Sequence, residues 1–400
     1  MKIALYGISR CGKDYLIQHI SRKIGNLLHL KGSETLNQLA QAKFGVKFNR
    51  LDKADKEQLR VRFTEIAEIE EQKSENVIVD AHYSFPADSD SYEVVMTDAD
   101  KNLYDVFIYM NSPTERIVEN QKIRDDTKSI KQYTVSEIEK WKAFEIENLN
   151  KICIELGKEL IILDGDIAPS TDFITELISY PQKFIATEIA KNIVANCKNI
   201  SDTVILTDCD KTLSYNDTTI DFCKYSKIDM NVIRNVYKGE YYSLYQFYKA
   251  NSIYDTISNK YYSACKFAAK NTQINTELIK DIKSNNVSAI GLTSGIADIW
   301  DIKRVEMSFP DLIFGKSRTL NTDYYISYFV KLTVVKEFHK IGKKVIAIGD
   351  SPIDIGMLEE ADKGYIITST KLSSGIERYI ETHSNTKIKQ LSYNPIKYNN

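Results

Sequence analysis

Short apolar runs alternate with longer charged stretches through the first part of the chain. Lys2–Tyr6 (apolar from Ile3 on) and residues 77–79, 106–109 and 160–163 are short apolar runs, as strands buried on both faces are. Between them, residues 56–70 and 136–156 place apolar side chains at helical spacing, with no Gly or Pro inside. This alternation predicts a parallel sheet covered by helices over residues 1–168. Asp164-Gly165-Asp166 and Pro169 end the last strand, and residues 169–200 read as a helical linker.

The pattern restarts at Thr203. Runs at 204–206, 289–292, 345–348 and 365–368 predict a second α/β domain over residues 201–392. Residues 215–285 interrupt it with helix-spaced apolar positions, many tyrosines (Tyr237, Tyr241, Tyr242, Tyr245, Tyr248, Tyr254, Tyr261, Tyr262), no Pro and a single Gly. They read as an inserted helical cap whose tyrosines serve packing first and stacking on a base or sugar second. The expected fold class is thus α/β twice over.

At the end of the first strand stands Gly7-Ile8-Ser9-Arg10-Cys11-Gly12-Lys13-Asp14. The spacing G-x-x-x-x-G-K, between a strand and a helix, turns backbone N–H groups and a lysine toward phosphate oxygens at a helix N-terminus. Gly7, Arg10, Cys11, Gly12, Lys13 and Asp14 are therefore candidate nucleotide-phosphate contacts, with Lys13 reaching the terminal phosphates. Asp14 takes the place where Ser or Thr usually binds magnesium; a carboxylate also holds magnesium, but adds negative charge beside a triphosphate. A later strand ends in Asp80-Ala81-His82, from which Asp80 would orient magnesium-bound water.

These residues resemble nucleoside monophosphate kinases, especially the archaeal type of adenylate kinase, and the loop is similar to that of phage-type deoxynucleoside monophosphate kinases. The resemblance implies ATP and Mg2+ as cofactors. It also implies a lid in the stretch Arg116, Lys122, Arg124, Asp125, Lys128 and Lys131, with Arg116 and Arg124 gripping phosphates, Arg50 at the acceptor phosphate and His82 at the substrate. The lid is richer in lysine than such kinases are, and lysine lacks arginine's bidentate fork.

After the strand at 204–206 comes Asp208-Cys209-Asp210-Lys211-Thr212. Two carboxylates two residues apart at a strand end can share a magnesium ion, one attacking phosphorus and the other serving as acid and then base. This D-x-D-x-T run resembles the haloacid dehalogenase superfamily of phosphatases, whose other motifs follow in order. The resemblance makes Asp208 the nucleophile, Asp210 the acid–base, Thr293 (with Ser294 and Gly295) and Lys331 the phosphoryl contacts, and Asp350 a metal carboxylate supported by Asp354. Lys331 is expected to open a helix over 331–340. The helical insert and the run 312–315 are similar to the phosphoserine phosphatase-like branch. Asp208, Asp210 and Asp350 form the expected magnesium set here, Asp14 and Asp80 the one in the first domain.

Net charge of −2 over 400 residues, with 43% hydrophobic and 27% charged side chains, describes an ordinary soluble chain without a global basic field. The six cysteines show no C-x-x-C pair or zinc spacing, and no apolar run spans a bilayer. A cytoplasmic enzyme acting on small, nucleotide-like phosphorylated substrates is the leading expectation. Two alternatives stay open: a polynucleotide kinase–phosphatase for nucleic-acid end repair, which the kinase-then-phosphatase order resembles, and a phosphatase regulated by a non-catalytic ATP-binding domain.

Overall fold

The computed structural model describes residues 1–87, 91–124, 132–238, 243–320, 323–368, 374–383 and 386–393. The lid residues Asp125, Lys128 and Lys131, the side chain of Arg124, and the cap residues Tyr241 and Tyr242 lie outside that description. The chain divides into two compact units, Met1–Tyr180 and Pro181–Asn400.

The first unit is built on β1 (Lys2–Tyr6), β2 (Leu27–Lys31), β3 (Asn76–Asp80), β6 (Val106–Met110) and β7 (Leu160–Leu163), with a hairpin of β4 (Ser84–Pro86) and β5 (Tyr92–Val94) set apart. The sheet order is β2-β3-β1-β6-β7, every neighbouring pair parallel. Its helices are α1 (Lys13–Lys23), α2 (Gly32–Phe44), α3 (Lys53–Ser74), α4 (Asp98–Leu103), α5 (Thr114–Arg124), α6 (Val135–Glu155) and α7 (Ile167–Ser179). The core joins Ala4 and Tyr6 to Val77, Val79, Phe107 and Tyr109 of neighbouring strands and to Leu149 and Cys153 of α6. Chain direction across the sheet reverses at β1, so the crevice beyond its carboxyl end is the topological place for a ligand.

The second unit has β8 (Thr203–Thr207), β9 (Ser288–Ile296), β10 (Leu312–Lys316), β11 (Lys344–Gly349), β12 (Lys363–Ile367) and β13 (Lys389–Leu391). They form one parallel sheet in the order β10-β9-β8-β11-β12-β13. Its helices are α8 (Ala186–Asn196), α9 (Thr218–Ser226), α10 (Met230–Val236), α11 (Leu244–Asp255), α12 (Tyr261–Asn271), α13 (Thr276–Ser284), α14 (Ala297–Met307), α15 (Tyr328–Lys340), α16 (Ile355–Glu360) and α17 (Ser374–Thr382). Helices α9 to α12 share a core around Phe222, Tyr254, Tyr261 and Ala264, to which Ile296 of β9 and Ile299 of α14 also belong. Tyr245, Tyr248, Tyr254 and Tyr261 are buried, the packing role expected of most cap tyrosines. α13 instead sends Leu278, Ile279 and Ile282 into the sheet's core.

Two expectations change. The stretch read as a linker is divided: α7 packs on α1 of the first unit and α8 on α15 of the second. Lys331 does not open its helix, which begins at Tyr328 because the Ser327 hydroxyl accepts the N–H of Val330 as an N-cap. No helix among the described residues is long and apolar enough to cross a membrane.

Candidate functional site

In the first unit, β1 runs into a loop that only glycine can make at two points. Gly7 sits at φ 149, and a β-carbon there would lie 2.8 Å from Cys11 Sγ and 3.0 Å from the Met110 carbonyl. Gly12, at φ 103, caps α1 in the left-handed region. Lys13 is buried, donates to the Gly7 carbonyl at 2.5 Å and stands 3.5 Å from Asp80 Oδ1. Burial alone would lower Lys13, but Cys11, Asp80 and Glu145 hold it above its usual value, so it stays a cation. Burial raises Asp80, against the pull of Lys13.

A cavity of about 520 Å³ opens over this loop, lined by Arg10, Cys11, Gly12, Lys13 and Asp14, with Asn120 and Ile123 of α5 beside them. A second cavity of about 470 Å³ lies between α2, α3 and the end of β3. Both are lined by Ser33, Asp80 and His82, so the two spaces meet at the end of β3. The second is walled by aromatic rings, Phe48, Phe63, Phe85 and Tyr104, with Arg60, Lys47 and Lys56 as its cations. Arg50 is exposed on the adjoining turn and does not line it. Arg116 is tied to the loop after β7, donating to the Gly165 carbonyl at 2.7 Å. His82 is half-buried, its shielded Nδ1 lacking a partner among the described residues, and desolvation holds its imidazole well below the usual value, hence neutral.

In the second unit the chain leaves β8 at Asp208, whose N–H donates to the Ile348 carbonyl of neighbouring β11 at 2.8 Å. Asp350 follows β11, so parallel pairing brings the two acids to the same edge. Carboxylate oxygens of Asp208, Asp350 and Asp354 lie within 4.8 Å of one another. Lys331 has no solvent exposure and donates to Asp208 Oδ1 and Asp354 Oδ1, each at 2.6 Å. Asp354 Oδ2 accepts from the Ser351 hydroxyl at 2.7 Å and from the N–H groups of Ser351 and Asp350 at 3.0 and 3.1 Å. With both oxygens engaged, Asp354 braces Lys331 and the turn rather than facing a ligand. Thr293 is buried in the second half of β9, its hydroxyl accepting the Gly295 N–H at 3.0 Å, and Ser294 donates its hydroxyl to the Ile326 carbonyl.

Asp210 is turned away from the three clustered acids. Its Oδ1 accepts from the Thr218 N–H at 2.6 Å and its Oδ2 from the Trp300 indole N–H at 3.2 Å. Burial raises Asp208 to about 6 despite Lys331, and raises Asp210 to about 7 with Asp217 adding to it. Asp350 is likewise pushed well up by burial. A divalent cation would reverse this for the acids it touched. A carboxyl group pushed up to about 7 is able both to give and to take a proton near neutral pH. Trp300 and His29, which joins Asp14 and Asp80 in a second cluster of possible metal donors, escaped sequence reasoning. Neither lies in a motif.

Residues 6–139 match the family model described as an AAA domain. No curated protein matches the chain. Similar solved structures include a HAD family hydrolase from Salmonella enterica serovar Typhi, at 12% identity and TM-score 0.37, covering 53% of this chain and 77% of that one. A phosphoserine phosphatase with a phospho-aspartyl intermediate analogue shows 15% identity and TM-score 0.35, covering 48% of this chain and 94% of its own. A deoxyadenosine kinase from M. mycoides shows 15% identity and TM-score 0.30, covering 45% and 99%.

Proposed function

From a chain that joins a P-loop kinase-like domain to a haloacid dehalogenase phosphatase-like domain, we propose a bifunctional enzyme. The first unit transfers the γ-phosphoryl group of ATP to a nucleotide-like acceptor, and the second hydrolyses a phosphomonoester. The observation that carries the second activity is the convergence of Asp208, Asp350 and Lys331, backed by Asp354, at adjacent strand ends.

In the hydrolysis, an Asp208 carboxylate oxygen bonds to phosphorus while the bond to the leaving oxygen breaks and Asp210 gives that oxygen its proton. Asp210 then takes a proton from water, whose oxygen attacks phosphorus; phosphate leaves and Asp208 is regenerated. Lys331 and Thr293 hold the phosphoryl oxygens. The donor set of hard carboxylates fits magnesium, which Asp208 and Asp350 would hold and which, when bound, neutralises the dianionic phosphate.

In the first unit, Lys13 and the backbone from Gly7 to Asp14 hold the phosphates of ATP, and Asp14 and Asp80 serve its magnesium. The aromatic cavity beside Asp80 takes the acceptor, with Arg60, Lys47 and Lys56 in the position expected of Arg50.

The test is phosphate release and transfer from labelled ATP across mononucleotides, 5′- and 3′-phosphorylated oligonucleotides and small phosphometabolites, with Asp208→Asn beside wild type. Magnesium-dependent release from a small phosphomonoester, lost in Asp208→Asn, is the expected result. Release confined to 3′-phosphorylated oligonucleotides would replace this reading with end repair. ATP binding without transfer to any acceptor would leave the first unit a regulatory module.

A further inference from the structure

Strand alternation sorts the side chains of β2. Leu28 and Leu30 pack into the core of the first unit, which leaves Leu27, His29 and Lys31 on the opposite face. β2 pairs with β3 so that His29 lies beside Ile78 and Lys31 beside Asp80, putting His29 and Asp80 on one face, two positions apart. The first turn of α1 adds Asp14. One donor atom from each of Asp14, His29 and Asp80 lies within 4.8 Å of the other two. Donors about 2.2 Å from a shared ion stand up to about 4.4 Å apart, so small side-chain shifts close the set.

Two atoms of this cluster are shielded from solvent and without a hydrogen-bond partner among the described residues: His29 Nε2 and Asp80 Oδ1. A shielded ring nitrogen left unpaired is destabilising, and a bound ion would relieve it. The nearest cation is Lys13 Nζ, 3.5 Å from Asp80 Oδ1. A lysine drawn to nucleotide phosphates would leave that oxygen to the metal.

We infer that His29 is a nitrogen ligand of the cation in the first unit, completing an Asp14–His29–Asp80 set that favours a first-row transition ion such as Mn2+ over Mg2+. Magnesium prefers oxygen donors and keeps its waters, whereas affinity for a mixed oxygen–nitrogen site rises along the first-row series that starts at manganese. The inference rests on Asp14 and Asp80 being the metal carboxylates of the proposed kinase site.

The experiment is Mn2+ binding to the full chain carrying Asp350→Asn, which disables the cation set of the second unit, read by electron paramagnetic resonance. Bound Mn2+ should show electron spin-echo modulation from a directly coordinated ring nitrogen. His29→Gln should abolish that modulation and weaken Mn2+ at least as much as losing an outer-shell partner does, about tenfold, with a smaller effect on Mg2+ competition. Mn2+ that fails to bind, binds without nitrogen coupling, or keeps the coupling in His29→Gln overturns the assignment; in the last case His82 is the nitrogen source. Nitrogen coupling without phosphoryl transfer to any acceptor would sink the kinase reading and leave the His29 site standing. Transfer without coupling means the reverse.

Discussion

Asp210, the proposed acid–base, shows how a buried carboxylate is aimed by groups outside every motif. The Thr218 N–H and the Trp300 indole each hold one oxygen, and the indole can only donate, so it fixes orientation without competing for the proton. Trp300 is fully buried in α14, 90 positions from Asp210, and nothing in the spacing of the sequence links the two. Trp300→Phe keeps the ring and removes the N–H. Its cost should depend on how much the leaving oxygen needs a proton. On phenyl phosphate, kcat/KM should fall about tenfold more than on p-nitrophenyl phosphate, part of the roughly hundredfold or more that a general acid supplies. Equal losses on both substrates would mean Trp300 only supports the fold.

Helices and strands set which of these side chains meet. α6 carries Glu145, fully buried, whose Oε1 accepts from the N–H and hydroxyl of Ser84 at 3.0 Å each and from the Trp141 indole at 3.2 Å, tying the helix to the start of β4. Burial raises Glu145 from its usual value to about 6. A carboxyl group raised on folding favours the folded state while protonated, and that contribution is lost as pH climbs through about 6. Across pH 4 to 8 the loss is about 2 kcal/mol, which Glu145→Gln should remove. In calorimetry of the full chain, the variant's advantage over wild type should therefore grow with pH; an advantage that stays constant or shrinks contradicts the assignment. At this level the sequence was readable where strands are buried on both faces, as at β1 and β6. It was silent on β2, β13 and the hairpin, whose half-exposed residues carry no continuous apolar run.

Taken as a whole, the molecule has two parallel sheets, and in each the candidate site gathers at the carboxyl ends of the strands, where the order of the strands reverses. The units have separate cores, and their candidate sites share no residue. Lys13→Ala should therefore abolish transfer from ATP while Asp208-dependent phosphate release continues, and Asp208→Asn should do the converse. Phosphate release by the second unit that falls in Lys13→Ala, or responds to ATP, would reveal regulation of one unit by the other.

The sequence by itself determined the α/β class of both halves and the Gly7–Asp14 loop, and ordered Asp208, Thr293, Lys331 and Asp350 as motifs. Period-two and helical patterning, glycine at positive φ and acids at strand ends are local signals, written in neighbouring residues. Only the tertiary structure decided that Arg60 and not Arg50 lines the aromatic cavity, that Asp354 holds Lys331, that Trp300 stands at the candidate site of the second unit and that His29 stands at that of the first. Those pairings depend on strand register and helix placement across tens of residues, which side-chain order alone does not specify.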